Sequence, residues 1–161
     1  MLTAAILTIS DTRSAGTRED TTTALMAELL EQIGIEVATT RLVPDEQDQI
    51  AAAIVDLCEG ADLVLTSGGT GLAPRDVTPE ATRSVIDREA PGIAEAIRAD
   101  SIAKTPHALL SRGIAGIHGS TLVVNLPGST GGCRDGFAVL RPALAHAVRL
   151  LAGEETAHQQ T

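Results

Sequence analysis

Residues 62–71 read DLVLTSGGTG, and this stretch decides how the rest of the chain is taken. Leu63, Val64 and Leu65 form a short unbroken apolar run, the pattern of a strand covered on both faces, as in a parallel sheet. The run leads through Ser67 into Gly68, Gly69, Thr70 and Gly71. Glycine loses more conformational freedom on folding than any other residue. Three of them in four positions therefore mark backbone that needs positive φ or a close approach to something. A buried strand that empties into such a loop is the place where open α/β sheets bind ligands.

Outward from this strand, short apolar runs alternate with helical periods. Residues 2–10 (LTAAILTIS) and 35–42 (IEVATTRL) predict strands. Residues 20–33 predict a helix, with Leu25, Leu29 and Ile33 four apart and Gly34 as its stop. Residues 46–58 predict another, with Ile50, Ile54, Leu57 and Cys58 on one face. Thr78-Pro79-Glu80 opens a helix, Thr78 serving as N-cap and Pro79 as first helical residue. Pro91-Gly92 interrupts the chain, and a further helix runs to about Lys104. Residues 113–118 and 121–125 predict a hairpin turning at Gly119-Ser120. The last helical stretch carries Phe137, Leu140, Leu144, Val148 and Leu151, with a kink or restart expected at Pro142.

This order predicts an α/β fold, a sheet layered between helices on both faces. If 113–118 and 121–125 are a hairpin, one of them opposes the others, giving a mostly parallel sheet with one antiparallel strand. For the NLPGS run (Asn125 to Ser129) to join the other exits, the reversed strand must be 113–118. One domain is expected over residues 1–152, followed by a polar tail, 153–161.

The 161 residues carry a formal net charge of −9, which argues against nucleic acid as a partner. Phe137 is the only aromatic residue among Phe, Trp and Tyr, so stacking platforms for single strands are lacking. Two cysteines make neither a disulfide framework nor a metal cluster. Cys58 reads as a core residue; the accessibility of Cys133, after a glycine-rich turn, stays open. His107, His118, His146 and His158 show no metal-ligand spacing. The run Leu2 to Ile9 lacks a basic leader and meets Asp11. No run is long enough to span a membrane. A cytoplasmic protein is expected.

Four strand exits bear unusual residues: Ser10-Asp11; Pro44-Asp45-Glu46; Ser67 to Gly71 with Arg75-Asp76 beyond; and Asn125 to Ser129. Each has an ordinary reading as a turn, a helix cap or a solvated ion pair. Together, on parallel strands, they converge on one cleft. No P-loop or dinucleotide fingerprint is present, and Lys104 is the sole lysine. Phosphate charge must then be met by backbone N–H groups, Arg75 and a metal. Asp45 and Asp76 offer the hard oxygens that Mg²⁺ takes alongside phosphate oxygens.

The run TSGGTGLAPRDVTPEAT (Thr66 to Thr82), with SD at Ser10-Asp11, VPDE at Val43 to Glu46, PG at Pro91-Gly92 and NLPGS at Asn125 to Ser129, resembles the MogA/MoaB family of molybdenum-cofactor biosynthesis proteins. The resemblance covers about residues 4–152. It implies a three-layer α/β/α fold, a homotrimer, and adenylyl transfer from Mg-ATP to molybdopterin with release of pyrophosphate, ahead of an enzyme that inserts molybdate. It implies that Asp45 and Asp76 are the aspartates needed for activity, with Asp76 expected to hold the metal or position the phosphates and Asp45 to bind the metal or orient the terminal phosphate of molybdopterin. It further implies that Ser67, Gly68, Gly69, Thr70 and Gly71, with Pro127, Gly128 and Ser129, line the pterin and nucleotide pocket. Ser10, Asp11, Arg75, Glu80 and Asn125 complete the expected binding set. Many members carry a glycine shortly after the aspartate matching Asp20; here the run is DTTTAL. The alternative is a MoaB-type molybdopterin carrier without adenylyltransferase activity.

Overall fold

Along the first strand, β1 (Thr3–Ile9), alternate side chains enter two separate cores. Ala4 and Ile6 face one, Ala5, Leu7 and Ile9 the other. That division follows from the two-residue period of a strand, and it is repeated in β3 (Leu63–Ser67), where Leu63 and Leu65 oppose Val64. The computed structural model describes residues 1–154. The remaining strands are β2 (Glu36–Val43), β4 (Arg88–Glu89), β5 (Ala115–His118) and β6 (Thr121–Leu126).

The six strands form one sheet in the order β2-β1-β3-β6-β5-β4. Strands β2, β1, β3 and β6 are mutually parallel. Strand β5 opposes β6, and β4 opposes β5. One strand, β5, therefore runs against the rest, as expected for the hairpin, which turns through Gly119 at φ +61°. Beyond the four-residue α1 (Asp11–Ser14), helices α2 (Thr21–Glu31), α5 (Pro91–Lys104) and α6 (Thr130–Leu151) cover one face. Helices α3 (Gln47–Cys58) and α4 (Thr78–Val85) cover the other. The three-layer α/β/α expectation holds.

The chain leaves β1 for β2 on one side and returns to β3 on the other, so the strand order reverses around β1. This reversal opens a crevice at the carboxyl ends of β1 and β3.

Several expectations need correction. Thr78 is the first residue of α4 rather than its cap; buried, it donates its hydroxyl to the Gly68 carbonyl at 2.9 Å. Helix α6 does not restart at Pro142; it runs through it as one element. Pro142 is exposed, while Phe137, Leu140, Leu144 and Val148 are buried on either side of it. That stripe holds both halves against the sheet and offsets the roughly 3 kcal/mol a mid-helix proline costs. Strand β4 was not foreseen; Arg88 and Glu89 are both exposed and carry no apolar signal. The strand expected at 113–118 begins only at Ala115. Cys133 is fully buried, and Cys58 only partly so. Residues 155–161, most of the expected polar tail, lie outside the described residues.

Candidate functional site

Ser10 follows β1 in an extended conformation and caps α1, its Oγ accepting from the Arg13 N–H at 3.2 Å. The next residue meets the exit of β2. The Asp11 N–H donates to Asp45 Oδ2 at 2.9 Å, and the Asp45 N–H donates to Asp11 Oδ1 at 3.0 Å. This reciprocal pair fixes the two loops and both carboxylates.

The glycine loop then packs onto them. Gly68 lies at φ +102° and Gly69 at φ +68°, a region side chains rarely enter. A Cβ on Gly68 would collide with the Ile9 carbonyl, and one on Gly69 would collide with the Thr78 hydroxyl and stand 3.1 Å from Asp45 Oδ1. A Cβ on Gly71 would stand 2.9 Å from Asp76 Oδ2. The exit of β6 closes the group: a Cβ on Gly128 would be 3.3 Å from the Gly68 Cα. The close approach inferred from the glycine cluster is thus made first by the protein's own backbone and carboxylates.

A pocket of about 290 Å³ opens here, lined by Ser10, Arg13, Arg18, Asp45, Gly68, Gly69, Asp76, Gly128 and Ser129. Burial pushes the Asp45 carboxyl above its ordinary value, and the charges of Asp11 and Asp76 add to this. The Arg75 guanidinium holds Asp11 below its own. Among the described residues, Asp45 Oδ1 and Asp76 Oδ1 receive no hydrogen bond; the other oxygen of each accepts a backbone N–H. No group of three or more His, Cys, Asp or Glu residues is arranged to hold a metal among the described residues. Two carboxylates at one pocket nevertheless fit Mg²⁺, which completes its shell with phosphate oxygens and water.

Other sequence candidates are committed elsewhere. Arg75 donates to Asp11 at 2.6 and 3.0 Å and to Glu46 at 3.0 Å, so it braces the loop from outside rather than facing the pocket. Glu80 pairs with Arg112. Asn125 is buried and saturated: its amide donates to Thr66 and Thr82, and its carbonyl accepts from the Ile114 N–H. Ser67 is buried with its hydroxyl on the Pro127 carbonyl. The Ser67 and Asn125 side chains are thus buried and bonded within the fold, whereas Arg75 stays half exposed and Glu80 Oε2 has no hydrogen-bond partner among the described residues. Thr70, Gly71 and Pro127 line a second cavity of about 430 Å³ between α5 and α6, on the far side of the glycine loop; Ser129 borders both.

Sequence reasoning missed three arginines. Arg13 is buried at the first pocket, and Arg18, exposed, also lines it. Arg112 donates to the Gly71 carbonyl at 2.8 Å and the Asp76 carbonyl at 2.7 Å. Arg13 could have been found from its place three residues after the Ser10 cap. Arg112 comes from a distant segment and leaves no local signal.

A family model described as "Probable molybdopterin binding domain" matches residues 5–146. The molybdenum cofactor synthesis protein cinnamon of Drosophila melanogaster is 40% identical over 166 residues, covering 99% of this chain and 27% of that protein. The chain spans 48% and 22% of two further curated relatives, so it matches a part of each of these longer proteins. The molybdopterin adenylyltransferase of Helicobacter pylori strain J99 is 37% identical over 152 residues, covering 92% of this chain and 86% of the relative. The crystal structure of the molybdopterin biosynthesis enzyme MoaB from Thermus thermophilus is 50% identical, with a TM-score of 0.89, over 95% of this chain and 98% of that one.

Proposed function

This chain belongs to the probable molybdopterin-binding domain family of molybdenum cofactor biosynthesis, and from that premise we propose that it transfers the adenylyl group of Mg-ATP to molybdopterin. Relatives 37–42% identical to it are named molybdopterin adenylyltransferase. The observation that carries the reading is the convergence of Asp45, Asp76 and the positive-φ glycines on one pocket.

In the proposed reaction, an oxygen of the terminal phosphate of molybdopterin bonds to the α-phosphorus of ATP. The bond to the β-phosphate oxygen breaks, and pyrophosphate leaves with its electron pair. Catalysis of this kind is mostly positioning and charge neutralisation. Mg²⁺, when bound, would screen the phosphate oxygens and steady the leaving group. Asp45 and Asp76 would hold it through their free Oδ1 atoms, and the Asp11–Asp45 bonds keep one of the two oriented. The glycine loop brings main chain close to the reacting phosphates without a side chain in the way. The same reading includes a homotrimer, a cytoplasmic setting and hand-over of the adenylylated pterin to a molybdate-inserting enzyme.

The test is pyrophosphate release dependent on molybdopterin and Mg-ATP, with Asp76→Asn as the variant. Release in the parent protein that falls by about 100-fold or more in the variant supports the reading. Equal release from both would sink the role of Asp76. Molybdopterin binding without Mg-dependent ATP binding would identify a carrier instead.

A further inference from the structure

Arg13 is 6% exposed, and among the described residues no carboxylate lies within ion-pair distance of it. Its Nε donates to the Glu19 carbonyl and its Nη1 to the Gly128 carbonyl, both at a long 3.3 Å. The neighbouring Asp20 is occupied at the start of α2, where it accepts from Thr22, from the Thr23 N–H and from the Thr23 hydroxyl. Buried charges in proteins are ordinarily paired. This one is paired only with neutral carbonyls, and it forms part of the wall of the Asp45–Asp76 pocket. Arg18, exposed at the same wall, adds a second positive charge.

We propose that Arg13 is the cation that receives a phosphoryl group in this pocket, taking the place a P-loop lysine holds in other nucleotide sites. The proposal rests on the phosphoryl-transfer reading above and names the residue that anchors the anion. Its position explains how a pocket with two carboxylates admits an anion at all. Arg13 and Arg18 balance Asp45 and Asp76 in formal charge, and a divalent cation held by the carboxylates would tip the site towards phosphate. The guanidinium suits this role because it presents several donors in a fixed plane to phosphate oxygens. Its two carbonyl contacts set the side chain in place before a ligand arrives.

The experiment is calorimetric titration of the protein with inorganic pyrophosphate and with inorganic phosphate, with and without Mg²⁺, and with no ATP or pterin present. Arg13→Gln is compared with Arg41→Gln, which removes an equal charge from a surface pair with Asp56. Loss of affinity by about ten- to a hundredfold in Arg13→Gln alone is expected. Preference for pyrophosphate assigns Arg13 to the nucleotide phosphate chain; preference for phosphate assigns it to a monoester. Equal affinity in both variants, or binding of neither anion by the parent protein, overturns the proposal. If Arg13→Gln does not fold, the Nε–Hε resonance of Arg13 is followed in the unaltered protein: a shift on adding pyrophosphate supports the assignment, and an unmoved resonance overturns it. Arg13-dependent anion binding in a protein that never releases pyrophosphate from ATP would refute adenylyl transfer while leaving this assignment standing.

Discussion

The glycine loop and the Pro127-Gly128-Ser129 turn separate two unlike cavities. On the β1 side lies the smaller one, walled by carboxylates, arginines and bare backbone. On the other, between α5 and α6, lies a larger one walled partly by Ile97, Ala108, Leu110 and Pro127. In the first, three of the lining residues are tied to other loops: Asp45 by Asp11, Gly68 by Thr78, the Asp76 backbone by Arg112. In the second, Gly132 packs tightly against Pro127, but Gly131 has nothing within 4 Å of where its Cβ would be. Charge handling demands fixed geometry, because a dipole aimed wrongly by an ångström stabilises little. A cavity that receives a ligand by shape tolerates more. The two sides should therefore answer mutation differently.

The largest expected effect is on the charged side. Asp45→Asn should lower pyrophosphate release by about 100-fold or more while leaving the fold at least as stable. Burial and two neighbouring carboxylates raise the Asp45 value above 3.8, so ionised Asp45 opposes folding. This opposition is present in full above the raised value and disappears as pH falls below 3.8, the unfolded value. The melting temperature of Asp45→Asn should exceed the parent's at neutral pH. The two curves should meet in acid. A variant less stable at neutral pH would mean that Asp45 is held for structure. Asp11 should behave oppositely: Arg75 holds its value low, so its contribution is present above 3.8 and is lost as pH falls through the folded value.

Next in size is Gly69→Ala. The new methyl enters left-handed backbone and meets Thr78 and Asp45, which should cost about 2–4 kcal/mol in chemical denaturation. It should also displace the Asp45 carboxylate, so activity falls more than unfolding accounts for. Arg112→Ala should act more gently. It frees the Gly71 and Asp76 carbonyls from the outside, and about a tenfold loss of kcat with little change in KM is expected. A loss confined to KM would instead place Arg112 in ground-state binding.

The contrast between the cavities was half legible in the sequence. The charged side announced itself, because Gly68-Gly69-Thr70-Gly71 and the aspartates after β2 and β3 are local patterns. The sheet was legible for the same reason: a strand's two-residue period and a Gly-Ser turn are short-range signals. What stayed hidden depends on distance along the chain. Arg112 reaches the glycine loop from 41 residues away. Asn125 looked like part of a binding motif until the fold surrounded its amide with Thr66, Thr82 and Ile114. The ties of Arg75 to Asp11 and Glu46 stayed hidden because those partners sit on other loops. Pro142 suggested a break because its own backbone does, and only the packed stripe around it overrules that.

The smallest expected effect tests the other side of the partition. Gly131 is exposed in the first turn of α6, its φ is not positive, and open space surrounds the position a Cβ would take. Gly131→Ala removes a flexible residue from a helix and should stabilise the fold by about 0.5–1 kcal/mol in denaturant titration. Gly131 lines the second cavity and not the first, and its methyl meets nothing within 4 Å, so the contacts of Asp45, Asp76 and Arg13 stay untouched. Pyrophosphate affinity should therefore stay the same while stability rises. A drop in pyrophosphate affinity would mean that the two cavities are coupled through the start of α6, and the partition would have to be redrawn as one continuous site.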